Sequence, residues 1–351
     1  MTTFHHALRR RFVFRSLAAW LAAGSMATAA VPAAMAQEGS AAAAASRTPT
    51  GKVPAAVSVL SIVEHPSLDA LRDGLHDELK DAGYQDGKSL HWAYQSAQGN
   101  QGTAVQIARK FVGDRPDVIV PIATPAAQAV VSATHQIPVV YNAITDPIAA
   151  QIVKSMAPSG TNVTGVSDKL VADRQVAFIK RVVPDVKRVG IIYSPAEANS
   201  VSATREMKVA LEKQGISLVE VAAPRSIDVG QAAQRLVGKV DVIYTSNDNN
   251  VISAYESVIK VANAAKIPLI CADRSSVQRG ATGAMAIDYY RMGRQTGRMV
   301  LRILNGEKPG DIASETSDRL DITLNLDAAR RQGATLSPEL QAEASEIFGK
   351  P

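Results

Sequence analysis

The sequence predicts an α/β protein made of two doubly wound parallel-sheet lobes that are joined by several crossovers. Short apolar segments rich in Val and Ile alternate with amphipathic helical segments, which is typical of parallel sheets covered by helices on both faces. The pattern then restarts, because the strand around Val57 is matched by one around Val189, and the segment from Asp117 by one from Asp241. A mature length of about 315 residues also exceeds what one hydrophobic core usually supports.

The first lobe is expected to begin with a strand at 56–63 and a helix that starts after Ser67 and ends before Gly83. Ser is a favourable N-cap, and Gly tolerates the left-handed conformation that ends many helices. The segments that follow predict a strand at 90–94, a helix at 101–112, a strand at 118–121, a helix at 125–134 and a strand at 138–142.

The second lobe repeats this order after a short extended segment at 163–166. We expect a helix at 170–183, a strand at 189–193, a helix ending at Gln214, a strand at 217–221, a helix at 229–237, a strand at 242–245, a helix at 251–265 and a strand at 268–272. The tail adds an extended segment at 284–287, a helix at 289–305 and a strand at 320–325. These are too few for a third core, so they should return to the two sheets and make a hinge of multiple crossovers.

The N-terminal region has the features of a cleavable signal peptide over residues 1–36. Arginines at 9, 10, 11 and 15 precede an apolar, Ala-rich run that ends in Ala34-Met35-Ala36. The Arg cluster leaves both the Sec and the twin-arginine export routes open. The residue directly after the cleavage site is Gln37 and not a Cys that could accept a lipid, so a soluble periplasmic protein is expected, not a lipoprotein.

The expected domain boundaries follow from these segments. Residues 37–52 contain five consecutive Ala and no apolar periodicity, which indicates a flexible leader. Lobe 1 is expected to comprise 53–147 plus about 282–306, and lobe 2 to comprise 148–281 plus about 307–340.

Composition and motifs argue against several classes of protein. The signal segment carries four of the 38 Lys and Arg residues, which leaves 34 against 33 acidic residues. This near-neutral balance does not favour nucleic-acid binding. No Gly-x-Ser-x-Gly, His-Glu-x-x-His, Walker or Gly-x-Gly-x-x-Gly motif is present, and the His residues lack metal-ligand spacing. We therefore expect no catalytic residues, no metal and no cofactor, and a buried structural role for Cys271.

Several motifs in chain order resemble those of one family. They are Ser61-Ile62-Val63-Glu64-His65-Pro66-Ser67-Leu68-Asp69, Ile122-Ala123-Thr124-Pro125-Ala126-Ala127-Gln128, Asn162-Val163-Thr164-Gly165-Val166-Ser167-Asp168, Glu197-Ala198-Asn199-Ser200 and Ile287-Asp288-Tyr289-Tyr290. The chain resembles, over roughly 53–333, the ABC-transporter substrate-binding family that includes the tryptophan- and tyrosine-binding proteins. The resemblance implies a type 1 periplasmic-binding-protein fold, with two lobes that close on a small ligand and deliver it to a membrane permease.

Polar loops at the strand ends supply the candidate ligand-binding residues. Backbone N–H groups at the helix starts favour an α-carboxylate, and acidic side chains at strand ends, where family members carry acidic or amide ligands, would accept an α-ammonium. The candidates are Glu64, His65, Thr124, Thr145, Asp146, Ser167, Asn199, Ser200, Asn247, Asp248 and Asp273.

Each candidate also has a structural alternative. The hydroxyl and amide residues are plausible N-caps of their own helices. Asp146 could only start the turn before Pro147, and Asp273 could pair with Arg274 or Arg279. His65 could be a wall residue beside Pro66.

The resulting hypothesis is a periplasmic solute-binding component of an ABC importer. It would bind a small zwitterion, an amino acid whose side chain is left open and for which an aromatic one is an option, and act as a monomer with the permease and ATPase of its system. Two alternatives remain at this point: a periplasmic ligand-sensing subunit for a membrane receptor, and a periplasmic enzyme.

Overall fold

The computed structural model describes residues 48–317 and 319–350. The predicted signal peptide and most of the predicted leader lie outside these residues. In the part of the chain that the structure describes, no helix is both long and apolar enough to cross a membrane. The described residues form two α/β lobes, each built on its own sheet.

Strands and helices alternate along most of the described chain. The strands lie at Ala55–Ser61 (β1), Leu90–Ser96 (β2), Val118–Ile122 (β3), Val139–Asn142 (β4), Val163–Ser167 (β5), Arg188–Tyr193 (β6), Ser217–Ala222 (β7), Val242–Thr245 (β8), Leu269–Asp273 (β9), Gly283–Ile287 (β10), Glu315–Thr316 (β11), Leu320–Asn325 (β12) and Glu346–Phe348 (β13). The α-helices lie at Pro66–Asp81 (α1), Gln101–Asp114 (α2), Thr124–Ala133 (α3), Ala172–Val182 (α4), Ala198–Glu212 (α5), Val229–Gln234 (α6), Asn249–Ser253 (α7), Tyr255–Ala265 (α8), Arg274–Arg279 (α9), Tyr289–Leu304 (α10), Leu326–Arg331 (α11) and Pro338–Glu343 (α12).

Lobe 1 is built on a parallel sheet with the strand order β11-β5-β4-β3-β1-β2. All five residues of the central strand β3 are buried, as expected for a strand covered on both faces. Helix α1 packs against α10, and α2 packs against α3. Because these strands are parallel, the carboxyl ends of β1, β3, β4 and β5 share one edge of this sheet.

Lobe 2 is built on a sheet with the order β13-β12-β10-β9-β8-β6-β7. Strand β12 is antiparallel to β10, with Leu320 opposite Ile287, whereas the strands from β10 to β7 are mutually parallel. The direction of β12 follows from its connection, because the chain enters it from lobe 1 at the edge where the parallel strands end. The predicted fold of two doubly wound lobes is confirmed, and the antiparallel strand β12 near one edge of the second sheet is an addition to it.

The chain crosses between the lobes three times within the described residues, after β5, after β10 and after β11. Sheet membership corrects the expected lobe boundaries. Residues from 148 onward were expected in lobe 2. Strand β5 nevertheless lies in the first sheet, because β5 pairs with β4. Strand β10 lies in the second sheet, although 282–306 was expected in lobe 1, because it pairs with β9. Strand β11 lies in the first sheet, although 307–340 was expected in lobe 2, because it pairs with β5. Strand β13 extends lobe 2 beyond 340. Sequence periodicity identifies strands but does not identify their pairing partners.

One predicted helix, at 251–265, is broken into α7 and α8 at Ala254. The guanidinium of Arg279 donates to the carbonyl of Ile252 at 2.8 Å and pairs with Glu256. This carbonyl would otherwise accept the helical hydrogen bond of the next turn, so a residue distant in sequence interrupts the helix.

The described end of the predicted leader, residues 48–52, lies against the end of α10. The N–H of Lys52 donates to the carbonyl of Leu304 at 2.9 Å, and Thr50 Oγ1 donates to Asn305 Oδ1 at 3.1 Å. These contacts hold this part of the chain on lobe 1.

Helices α1 and α10 approach each other closely through glycines. A Cβ atom on Gly293 would lie 2.0 Å from the carbonyl oxygen of Leu71, and one on Gly74 would lie 2.1 Å from that of Tyr290. Because backbone atoms occupy these positions, a side chain of any size would force the helices apart. Glycine at these two sites therefore allows the chain to return from lobe 2 and complete the core of lobe 1.

We expect Gly293→Ala to destabilise the protein by about 1–3 kcal/mol or more, because the added methyl group overpacks a backbone contact. Gly113→Ala is the matched control, since Gly113 is exposed in α2 and a Cβ there meets nothing within 4 Å. That change should stabilise the protein by about 0.5–1 kcal/mol through helix propensity. Urea unfolding measures both, and equal stabilities of the two variants would contradict the close packing of α1 on α10.

Candidate ligand-binding site

The loops that follow the parallel strands of the two sheets face each other across a cleft. Ser67 Oγ of lobe 1 donates to Asp273 Oδ1 of lobe 2 at 2.8 Å, and Asn247 Nδ2 of lobe 2 donates to Asp168 Oδ2 of lobe 1 at 2.9 Å. Two more bonds join Ser202 Oγ to Asp146 Oδ2 (3.3 Å) and Gln101 Nε2 to the carbonyl of Ala196 (3.2 Å). The lobes are therefore closed on each other.

Several polar atoms at this junction are buried without a hydrogen-bond partner among the described residues. They are Thr124 Oγ1, Asn142 Oδ1 and Nδ2, Asn199 Oδ1, Ser246 Oγ and Asn247 Oδ1. Buried polar groups are almost always paired, because an unsatisfied donor or acceptor costs about 1–3 kcal/mol of desolvation free energy. A cluster of such atoms on both sides of one cleft indicates the place where a polar ligand would supply the missing partners.

Thr124 and Asn142 are neighbours at the carboxyl edge of the first sheet. Asn142 pairs with Ile122 in the register of β4 and β3, and the N–H of Ala123 donates to the Asn142 carbonyl at 3.0 Å. Helix α3 begins at Thr124, and no side chain within 48–317 or 319–350 caps its first turn. Its backbone N–H groups and the positive end of its dipole favour an anion, and the Thr124 hydroxyl adds a donor.

Asn199 and Asn247 lie opposite, at the carboxyl edge of the second sheet. Asn199 Nδ2 donates to the carbonyl of Asn247 (2.9 Å) and to Glu197 Oε2 (3.1 Å). Asn247 Nδ2 donates to Asp168 Oδ2. In both side chains the nitrogen is engaged, and the oxygen has no partner in the described structure.

Asp168 joins the cleft to the hinge. Asp168 is 2% exposed as a residue, and its carboxylate accepts hydrogen bonds from Thr145 Oγ1 (2.9 Å), Asn247 Nδ2 (2.9 Å) and Tyr289 OH (2.7 Å). Asp168 follows β5 at the first crossing, and Tyr289 begins α10 after the second. Burial raises the pKa of Asp168, although the three hydrogen bonds oppose the shift. One carboxylate thus connects both lobes and two crossovers.

Asp248 and Ser200, two predicted ligand residues, are engaged within lobe 2. Asp248 accepts from the N–H and hydroxyl of Ser194 (2.6 and 3.0 Å), from Ser200 Oγ (2.5 Å) and from the N–H of Val251 (2.9 Å). It therefore caps α7 and ties the loop after β8 to the loop after β6. The geometry supports a structural role for both residues, because a ligand would have to displace bonds already made.

Three other predicted acidic ligands also have protein partners. Glu64 is exposed and accepts from Tyr94 OH and Gln98 Nε2 of its own lobe. Asp146 starts its turn by accepting from the N–H of Ala149 at 2.9 Å and also approaches Ser202 and Lys169. Asp273 caps α9 and accepts from Ser67 and Ser275. Arg274 and Arg279 pair with Glu346 and Glu256, not with Asp273.

Thr145 and Ser167 support Asp168 and its loop. Thr145 Oγ1 donates to Asp168, and Ser167 Oγ donates to the carbonyl of Thr145 at 3.3 Å. Thr145 and Asn247 also line a cavity of about 30 Å³ together with the buried Tyr244. The structure therefore brings Thr124, Asn199 and Asn247 to the unsatisfied cluster, with Thr145 and Ser167 behind it.

His65 and Glu197 are buried ionisable groups in facing loops. His65 Nδ1 caps α1 by accepting from the N–H of Leu68 (3.5 Å), and burial lowers the pKa of His65 to about 4. Glu197 Oε2 accepts from Asn249 Nδ2 at 2.6 Å. Burial and the nearby carboxylate of Asp248 raise the pKa of Glu197 to about 7.

Sequence reasoning did not select Asn142, Asp168 or Glu197 as ligand-site residues. The sequence predicts Asn142 only as the last residue of a strand, and it gives Asp168 and Glu197 only as members of family motifs. Their common signal was position, because each is a polar residue at or just after the carboxyl end of a parallel strand.

Comparisons with known proteins agree with this geometry. The family model described as ABC transporter substrate binding protein matches residues 56–348. The chain is 39% identical over 274 residues to the tyrosine-binding protein of Clostridioides difficile strain R20291, covering 78% of this chain and 79% of that protein.

Two solved structures each match 84% of this chain. The ABC domain from Streptococcus pneumoniae in complex with L-Trp is 34% identical, is covered to 99% and superposes with a TM-score of 0.81. The ligand-free, open structure of a substrate-binding protein with adhesive properties from Clostridium difficile is 37% identical, is covered to 100% and has a TM-score of 0.65. The chain superposes better on the ligand-complexed structure than on the open one, in agreement with the hydrogen bonds between its lobes.

The opposed pKa shifts of His65 and Glu197 predict a specific pH dependence. The lowered pKa of His65 gives stability that is complete above pH 6.5 and is lost as the pH falls toward 4. The raised pKa of Glu197 gives stability that is complete below pH 4.5 and is lost as the pH rises through 7. Between these limits the two contributions offset each other.

Replacing His65 and Glu197 one at a time should separate their two contributions to the pH dependence of stability. In Glu197→Gln the free energy of unfolding should fall, relative to wild type, by about 1.4 kcal/mol per pH unit as the pH decreases from 6.5 to 4.5. In His65→Asn, which keeps a capping oxygen, the free energy of unfolding should instead rise, relative to wild type, by a similar amount per pH unit over the same decrease in pH. Urea unfolding at half-unit pH intervals measures both slopes, and slopes equal to the wild-type slope in both variants would contradict the assigned shifts.

Proposed function

The chain belongs to the family of ABC transporter substrate-binding proteins, and from this premise we propose that it binds an aromatic amino acid between its lobes and delivers it to an ABC importer. The ligand would be held through its α-carboxylate and α-ammonium groups and released on opening. In this role the protein makes and breaks no covalent bond.

The observation that carries this proposal is the cluster of buried, unsatisfied polar atoms on both sides of the closed cleft. Thr124 and the first turn of α3 offer donors, the Asn142 side chain offers a donor and an acceptor, and Asn199 and Asn247 offer acceptors. A small zwitterion matches this mixture, whereas an uncharged sugar would not use the uncapped helix terminus as well. Full burial is required, since so few atoms give useful affinity only when their polar groups are all paired.

The preference for an aromatic side chain is supported by the relatives. One is named for tyrosine binding and another was crystallised with L-Trp, at 39% and 34% identity. The proposal also includes a location in the periplasm after removal of residues 1–36, which the signal-peptide features of the sequence support, action as a monomer, and association with the permease and ATPase of the same system.

A thermal-shift screen over the amino acids, common sugars and nucleosides tests the proposal. L-Tyr, L-Trp or L-Phe should raise the melting temperature, because a ligand at 100 times its Kd adds about 2.7 kcal/mol of stability. Stabilisation by a sugar or nucleoside, with no amino acid active, would refute the assigned ligand class.

Substitutions at the first sheet edge should weaken binding without unfolding the protein. Thr124→Val and Asn142→Leu should each lower affinity for the amino acid about 5- to 100-fold, because each removes a buried hydrogen-bond partner. Unliganded stability should not fall, since neither side-chain group is hydrogen bonded in the described structure. Thr335→Val, at an exposed position between α11 and α12, is the control. Isothermal titration calorimetry measures affinity, and wild-type affinity in both cleft variants would place the ligand elsewhere.

A further inference from the structure

Asn199 and Asn247 have the same arrangement in lobe 2. Each places its side-chain nitrogen against a carboxylate, Asn199 at 3.1 Å from Glu197 Oε2 and Asn247 at 2.9 Å from Asp168 Oδ2. Each leaves its side-chain oxygen buried and unpaired with respect to the described residues. The two side chains are also adjacent, because Asn199 Nδ2 donates to the backbone carbonyl of Asn247.

The carboxylates fix which way the two amides point. Rotating either amide by 180° would bring its oxygen against a carboxylate oxygen and place two acceptors in contact, which is unfavourable in a buried site. In both side chains, the atom that is left without a partner is therefore the amide oxygen, which is a hydrogen-bond acceptor. Lobe 2 presents two amide oxygens to the cleft, each on an amide that is polarised by a carboxylate behind it.

The carboxyl groups behind these amides accept hydrogen bonds from neutral donors. Glu197 is 6% exposed, and its hydrogen-bond donors are the neutral groups of Asn199 and Asn249. The raised pKa of Glu197 reflects this burial together with the nearby Asp248 carboxylate. A cation entering next to the amide oxygens would stabilise the ionised form of Glu197 and would itself be stabilised in the low-dielectric interior.

Lobe 1 has the opposite character at the facing edge. Helix α3 starts at Thr124 with no side-chain cap among the described residues, and the Thr124 hydroxyl is buried. Its helix dipole and N–H groups favour an anion. The two lobes therefore differ in the sign of the charge that each prefers.

We propose that the ligand binds with a fixed polarity, in which its ammonium group is received by the side-chain oxygens of Asn199 and Asn247 on lobe 2 and its carboxylate by Thr124 and the start of α3 on lobe 1. Glu197 and Asp168 act as positioning residues that hold the two amides with their oxygens toward the ligand. This inference rests on the proposed amino-acid ligand and assigns its two charged ends to opposite lobes. Binding of the zwitterion then bridges the lobes and stabilises the closed form.

The test compares three probes that share one side chain: L-tyrosine, its desamino analogue 3-(4-hydroxyphenyl)propanoate, and L-tyrosinamide, which keeps the ammonium but not the carboxylate. Asn199→Ala and Asn247→Ala should lower the affinity for L-tyrosine and L-tyrosinamide about 10- to 100-fold, but that for the desamino analogue less than about 3-fold. Thr124→Val should show the reverse selectivity. Asn250→Ala is the control, since its side chain donates to Ser194 and Pro224 within lobe 2 and lies outside the proposed site.

The variant Glu197→Gln distinguishes a positioning role of Glu197 from a merely structural one. It keeps the shape of the side chain and should lower the affinity for L-tyrosine and L-tyrosinamide at least about 5-fold, while the affinity for the desamino analogue stays near that of wild type. A merely structural role would weaken all three probes equally.

A crystal structure of the L-tyrosine complex gives the decisive observation even if an analogue binds too weakly to titrate. The proposal requires the ammonium nitrogen within about 3.2 Å of the Asn199 and Asn247 side-chain oxygens. A carboxylate at these oxygens, an ammonium at Thr124, or equal losses for all three probes would overturn the assigned polarity. Failure of wild-type protein to bind any amino acid would instead refute the proposed function, so the two failures are distinguishable.

Discussion

The desolvation of polar side chains between the lobes is the constraint on which the rest of the cleft depends. When the lobes close, each donor and acceptor at the strand ends must find a partner or lose its interaction with water. Asp168 meets this requirement by accepting from Thr145, Asn247 and Tyr289. Asn142 does not meet it within the described residues. If the proposed ligand supplies the missing groups, its binding would be coupled to closure.

Two kinds of polar residue at the strand ends have the same appearance in sequence but different roles. Asp248 uses its oxygens to hold two loops of lobe 2 together, and the adjacent Asn247 points across the cleft. Asp248 thereby makes this edge of lobe 2 rigid, whereas Asn247 links the lobes and would present a polar atom to the proposed ligand. Rigidity matters here, because preorganised partners reduce the free energy spent on ordering them during binding.

The sequence was sufficient for the fold because local pattern and tertiary structure agree over most of the chain. Val118 to Ile122 forms a continuous apolar run that only a doubly covered strand can use. The break at Ala254 was not predictable, since its cause is the side chain of Arg279 in another element. The sequence predicts candidate loops for the site, and those loops do meet between the lobes. It does not single out Asn142 or Asp168, because sequence does not show which polar atoms remain unpaired after packing.

The close contact of Gly293 with the backbone of Leu71 has a consequence for the order of folding. Lobe 1 contains the N-terminal strands, yet its core is closed by α10, whose residues are synthesised more than two hundred positions after those of α1. Vectorial synthesis or translocation therefore cannot deliver a finished first lobe before most of the second has emerged. Such high contact order slows folding and keeps the emerging chain incomplete for longer.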